Sequence, residues 1–129
     1  DALILDMWFG LQARVPGADC VSRVRTLTAH PRFTLANPNR ARALIATFAN
    51  GNLRGFHAAN GSGYALVTDI IGKLDERNPQ IAARLATAFR SWRSLEPRRR
   101  AKAEAALRAL AEGGARSRDL GDILERTLS

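Results

Sequence analysis

The chain is short of cysteine, histidine and long apolar runs, and each shortage removes a class of protein. A lone Cys20 cannot close an internal disulfide; behind Asp19 at a helix start it reads as core filler, not as a reactive thiol. Only two histidines are present, His30 and His57. With no His-Glu-x-x-His, no cysteine pair and no Asp/Glu cluster at ligand spacing, no metal site is expected within the chain. No apolar run nears the ~18 residues of a membrane helix, and no signal-peptide pattern is present, so a chain free of membranes and cytoplasmic is expected. Gly-x-Ser-x-Gly, the P-loop and Gly-x-Gly-x-x-Gly are all missing, as is any nucleophile with a base beside it, so no catalytic residue is assigned. Aromatics are scarce at 6% and strongly β-favouring runs are absent, which leaves Ala, Leu and Arg to favour helices.

Acid is also in short supply. Twelve Asp and Glu stand against 20 Lys and Arg, a net charge of +8 that raises nucleic acid or an acidic protein as a partner. Between Arg84 and Arg108, eight basic residues meet only Glu96 and Glu104. They are interspersed with alanine and helix starts rather than with glycine, aromatics or a reading motif. A solvated face is therefore expected, without specific nucleic-acid binding.

What the chain does have is helix punctuation. At 129 residues and 46% hydrophobic content it is one domain with a core. Ile4, Met7, Trp8 and Leu11 form a helical stripe that begins in mid-pattern, as in a piece of a longer chain. Val15-Pro16-Gly17 breaks that helix, and Asp19 starts the next, with Val21, Val24 and Leu27 as its buried positions. The densest local chemistry runs from His30 to Tyr64. Asn37-Pro38 is an N-cap followed by proline at the first helical position, where its missing N–H costs nothing. Ala41, Leu44, Ile45 and Phe48 follow as a core stripe. Arg40 and Arg42 flank it, either as solvated rim residues or aimed at an anionic group that suits the guanidinium fork.

Gly51 and Gly55 mark a loop in which Phe56 plugs the core. Beside it His57 is either a hydrogen-bonded structural residue or a ligand. Gly61-Ser62-Gly63 is too short for a phosphate loop and reads as a helix start capped by Ser62. That helix carries Tyr64, Val67, Ile71 and Leu74 inward to about Arg77. Asn78-Pro79 repeats the cap-then-proline device ahead of Ile81, Leu85, Phe89 and Trp92, with Arg84 at the edge of the buried face. Glu96-Pro97 opens a basic helix with Ala103, Leu107 and Leu110 inward, ended by Gly113-Gly114. Ser117 caps the last helix, anchored by Leu120, Leu124 and Leu128. The fold class expected is all-α: about seven helices, roughly ten to sixteen residues each, packed as antiparallel pairs in an irregular, solenoid-like superhelix without a fixed repeat period.

Three separated segments, HPRFTLANPNRARALIATFA, FHAANGSGY and NPQIAAR, add a resemblance that physics alone does not supply. In that order and spacing the chain resembles the C-terminal helical domain of bacterial aminopeptidases of the M1 zinc metallopeptidase family. The likeness covers about residues 30–90, and the flanking helices are compatible with it. Arg32, Asn60 and Gly121 depart from the pattern, where Asn, Asp and an aromatic are expected; these changes bear on local packing.

The resemblance implies a large, four-domain exopeptidase that removes N-terminal residues from peptides with one zinc. Residues 1–129 would be its single C-terminal domain, which closes over a separate catalytic domain and shapes the substrate cavity. The zinc ligands would lie in that catalytic domain, so this chain alone would be inactive. By their positions in NPNRAR and NPQIAAR, Arg42 and Arg84 would face the cavity and bind the carboxylate or backbone of a short peptide. A docking face toward the catalytic domain is implied too, through which an isolated domain would self-associate. The alternative is a free-standing basic helical adaptor for nucleic acid or an acidic protein.

Overall fold

Side-chain caps and prolines decide where these helices begin. The computed structural model describes residues 1–113 and 116–129, and among them it holds eight helices and no strand. They are α1 Ala2–Arg14, α2 Cys20–Leu27, α3 over residues 38–51, α4 Leu53–Phe56, α5 Ser62–Asp75, α6 Pro79–Ala86, α7 Pro97–Glu112 and α8 Arg118–Leu128. Asn37 Oδ1 accepts from the N–H of Asn39 at 3.0 Å and of Arg40 at 3.3 Å. Asn78 Oδ1 accepts from Ile81 N–H at 3.2 Å. Both caps are followed by proline, so the helix ends present few orphan donors. Glu96 reaches the N–H groups of Arg98 and Arg99, each at 2.9 Å, and Ser117 Oγ accepts from Leu120 N–H at 3.2 Å.

The cap expected at Ser62 lies one residue earlier. Ser62 is the first residue of α5, and Gly61, at φ 80°, holds the cap position in a conformation that suits glycine. Asn60 Oδ1 takes the Ser62 N–H at 2.9 Å. A Cβ on Gly63 would stand 2.2 Å from the Gly55 carbonyl oxygen and 2.5 Å from that of Phe56, so its absence is what seats α5 on α4. Gly113 follows α7, whereas Gly114, the other half of the expected stop, lies outside the described residues.

The core stripes fall at helical spacing. Ala41, Leu44, Ile45 and Phe48 have no exposed surface; Tyr64, Val67, Ile71 and Leu74 pack beside them, as do Leu107 and Leu120. Each such Leu, Ile or Phe contributes about 1.5–3 kcal/mol through burial. Val24 is buried with Cys20, while Val21 and Leu27 are only half-buried against the core. Ile81, Leu85, Phe89 and Trp92 are all inward, but not on one helix: α6 stops at Ala86, and 3-10 turns at Thr87–Phe89 and Trp92–Ser94 carry the rest.

Two departures alter the expected helices, and the first raises their number from seven to eight. The loop expected around Gly51 and Gly55 contains α4, started by the buried Asn52, whose Oδ1 accepts from Gly55 N–H at 3.1 Å. The same side chain donates from Nδ2 to the carbonyls of Ala13 and Val15 at 3.0 and 3.2 Å, which ends α1. Within α3, a π-helical turn at Arg42–Ala46 interrupts the α-helix. Neighbours then stack: α1 on α3, α5 on α6 across the short connection of residues 76–78, α6 on α8, and α7 against both α5 and α8. The result is an irregular superhelix of paired helices. Among the described residues no helix is long and apolar enough to cross a membrane.

Candidate functional site

The first helix turns its two faces to opposite uses. Phe9 and Ala13 point inward with no exposed surface, and Phe9 meets Phe33 and His30 edge to face at centroid distances of 5.8 and 5.5 Å. The stripe of Ile4, Met7, Trp8 and Leu11 exists, but it points outward. Leu3, Ile4, Met7 and Leu11 are 61–66% exposed, and Trp8 and Val15 join them. This is a contiguous apolar face on a helix whose inner side is already satisfied, the mark of a surface that another surface covers.

Beneath that helix, Arg40 takes the second of its two readings and is aimed at an anionic group. It is buried rather than solvated, because Asp6 of α1 meets it: Nε lies 2.5 Å from Asp6 Oδ1. A second donor, Nη1, goes to the Arg32 carbonyl, and the guanidinium stands over the Phe9 ring at 5.7 Å. A buried guanidinium persists only where its donors are matched in this way. Arg40 is thus a structural clamp between α1 and α3.

Arg42 opens the π-helical turn and is half-buried, its guanidinium donating to Asn39 Oδ1. π turns are rare and concentrate at functional positions. Arg84 is exposed in the last turn of α6, five residues after Pro79, because α6 ends at Ala86. Neither arginine is in an ion pair among the described residues. Asp69 is taken by Arg25 at 3.2 Å, and Asp75 accepts from Ser117 N–H at 2.8 Å. Since α6 packs on the π turn, the two arginines are carried by adjoining elements.

A second polar cluster joins α4, α5 and α7. His57 Nδ1 lies 2.6 Å from the hydroxyl of buried Tyr64, and Arg99 Nε donates to the His57 carbonyl at 2.6 Å. Burial, then the Arg99 charge, lowers the pKa of His57 below its ordinary value. Burial likewise raises the Tyr64 phenol to about 12, with Arg99 opposing and Glu96 adding. The Arg99 N–H holds the Glu96 carboxyl below its usual range. His57 is therefore a hydrogen-bonded structural residue. Among the described residues no group of three His, Cys, Asp or Glu could share a metal ion.

With this geometry in place, comparison with known proteins is decisive at the level of family. The family model described as "Domain of unknown function (DUF3458_C) ARM repeats" matches residues 1–129. The chain belongs to this family. The ARM-repeat domain is 39% identical over 128 residues to Aminopeptidase N of Haemophilus influenzae, covering 99% of this chain and 15% of that protein. It is 48% identical over 97 residues to Aminopeptidase N of Caulobacter vibrioides, covering 75% of this chain and 11% of that one. Aminopeptidase N of Escherichia coli is 42% identical over 110 residues, 85% of this chain and 13% of its own length. Among solved structures, Legionella pneumophila aminopeptidase A in complex with aspartic acid superposes with a TM-score of 0.85 at 35% identity, over 94% of this chain and 14% of that one. The domain thus spans a small part of the relatives it matches, and the resemblance carried by its three motifs is borne out.

Asn52, Arg99 and Asp75 have no specific contact assigned from the sequence, and Arg40 has an anionic partner expected but not identified. The partners of these four lie 34 to 42 positions away, and no local pattern marks them.

Proposed function

We propose that this ARM-repeat domain is the C-terminal domain of a zinc aminopeptidase of the M1 type, which closes over the catalytic domain and shapes the cavity for peptide substrates without catalytic residues of its own. The observation that carries this reading is the outward apolar face of α1. Four large side chains left 61–66% exposed on one helix face would gain roughly 1–2 kcal/mol each on burial. A covering surface within the same polypeptide suits relatives that are aminopeptidases of which this chain matches 11–15%. The zinc and the hydrolytic step belong to that catalytic domain, and the present domain alone is expected to be inactive.

The test is a pair of substitutions, Ile4→Asn with Leu11→Asn. In the natural full-length polypeptide they should lower the melting temperature and split the unfolding transition. In the domain alone they should leave stability nearly unchanged and reduce self-association. An unchanged full-length transition would remove α1 as the docking face.

Arg42 and Arg84 are assigned to the cavity, where they bind the carboxylate or backbone of a short peptide. Arg84 brings its own charge rather than the field of a helix N-terminus, since it lies at the other end of α6. Replacing either by Ala in the intact enzyme should weaken short-peptide binding by about 1–3 kcal/mol. Chromogenic amides without a carboxylate should be nearly unaffected. Equal losses for both substrate types, with a lower melting temperature, would assign the two residues to the scaffold.

A further inference from the structure

The guanidinium of Arg42 has one hydrogen-bond partner among the described residues, the side-chain oxygen of Asn39. Arginine only donates, so the Asn39 amide meets it with Oδ1, and the two Nδ2 hydrogens take no part in the bond. We infer that Asn39 is a positioning residue for Arg42, holding its charged head in place for the carboxylate of a short peptide. This role rests on the assignment of Arg42 to the peptide cavity.

Backbone geometry gives the first argument. Asn39 lies in the first turn of α3, where its own N–H is held by Asn37 Oδ1 at 3.0 Å and Pro38 fixes the residue before it. Its carbonyl in turn accepts from Arg42 N–H, so both members of the pair are tied to the start of the helix. Three residues apart, they share one helix face, the spacing at which side chains meet. A free arginine side chain loses rotamer freedom when it binds, whereas one already oriented loses little.

Residue type gives the second argument. Asn39 is exposed, so packing does not dictate what stands there. The first turn of a helix favours Asp or Glu, yet the first turn of α3 holds neither. An aspartate at position 39 would suit the helix and would still accept from Arg42. Its charge, however, would offset that of the guanidinium and repel a carboxylate beside it. Asparagine keeps the acceptor and leaves the positive charge of Arg42 whole.

Steady-state kinetics of the natural full-length polypeptide test the inference, with a short peptide bearing a free C-terminal carboxylate and a chromogenic amide lacking one. Asn39→Ala should raise the peptide KM at least about threefold, with kcat and the amide substrate unchanged. Asn39→Asp should raise it at least about tenfold without lowering the melting temperature, a combination that a scaffold role does not give. In an Arg42→Ala background, Asn39→Ala should add no further loss, because Asn39 acts through that arginine. A loss with Arg42→Ala but none with Asn39→Ala would overturn this inference and leave Arg42 in the cavity. Additive losses in the two backgrounds, equal losses for both substrates, or an Asn39→Asp protein as effective as wild type would overturn it as well. No loss with Arg42→Ala itself would overturn the cavity assignment, and the role of Asn39 with it.

Discussion

Helices α1 and α7 each bury one narrow stripe and turn opposite chemistries outward. On α1, Phe9 and Ala13 face the core while Leu3, Ile4, Met7 and Leu11 face away from it. On α7, Ala103, Leu107 and Leu110 face the core while Arg98, Arg100, Lys102 and Arg108 are exposed. The inner stripes are nearly interchangeable; what separates the helices is the outer side. Water satisfies the guanidinium and ammonium groups of α7, whereas only another apolar surface satisfies the outer side of α1. Their ion pairs differ in the same sense. Asp6 of α1 meets a buried arginine, while Glu104 and Arg108 of α7 pair at 2.7 Å in solvent.

The largest effect expected from this contrast is at Arg40. Arg40→Ala leaves Asp6 without its partner and removes the guanidinium from the Phe9 ring, so stability should fall by about 3 kcal/mol, read as a shift of the urea midpoint. A loss below about 1 kcal/mol would erase the difference between the two ion pairs.

Next in size is an alkaline loss on the α7 side. With its pKa raised to about 12, Tyr64 favours the protonated phenol in the folded state. The stability this gives is full below the ordinary value of 10 and is lost as pH rises toward about 12, on the order of 2 kcal/mol. Tyr64→Phe should abolish that loss, and the phenolate absorbance of the chain's single tyrosine should appear only near its raised value. His57 provides an acid counterpart. Its lowered pKa favours the neutral ring, so its contribution is full above the ordinary 6.5 and declines as pH falls below it. His57→Gln should flatten that decline in melting temperature against pH.

Ser117→Ala should cost about 1 kcal/mol, since it removes the cap of α8 and leaves Asp75 with the Ser117 N–H alone. The smallest effect is expected from Arg108→Ala on α7, below about 0.5 kcal/mol, because both partners are substantially exposed. A loss comparable to that at Arg40 would show that the outer face of α7 is covered as well.

Much of this fold was legible because its causes are local. The caps at Asn37, Asn78, Glu96 and Ser117 act within three residues of themselves, so residue type and spacing suffice to place them. The buried stripes at Ala41 to Phe48 and Tyr64 to Leu74 follow from helical periodicity. Arg42 and Arg84 were marked by motif resemblance, and the structure sets them on adjoining elements. Periodicity gives a stripe's phase but not its neighbour, which is why the stripe of α1 was visible while its outward direction was not. Pairing of Arg40 with Asp6 spans 34 positions, and the Arg99 bond to the His57 carbonyl spans 42. Such contacts depend on how whole helices pack, and packing is a sum over distant side chains that no local window contains.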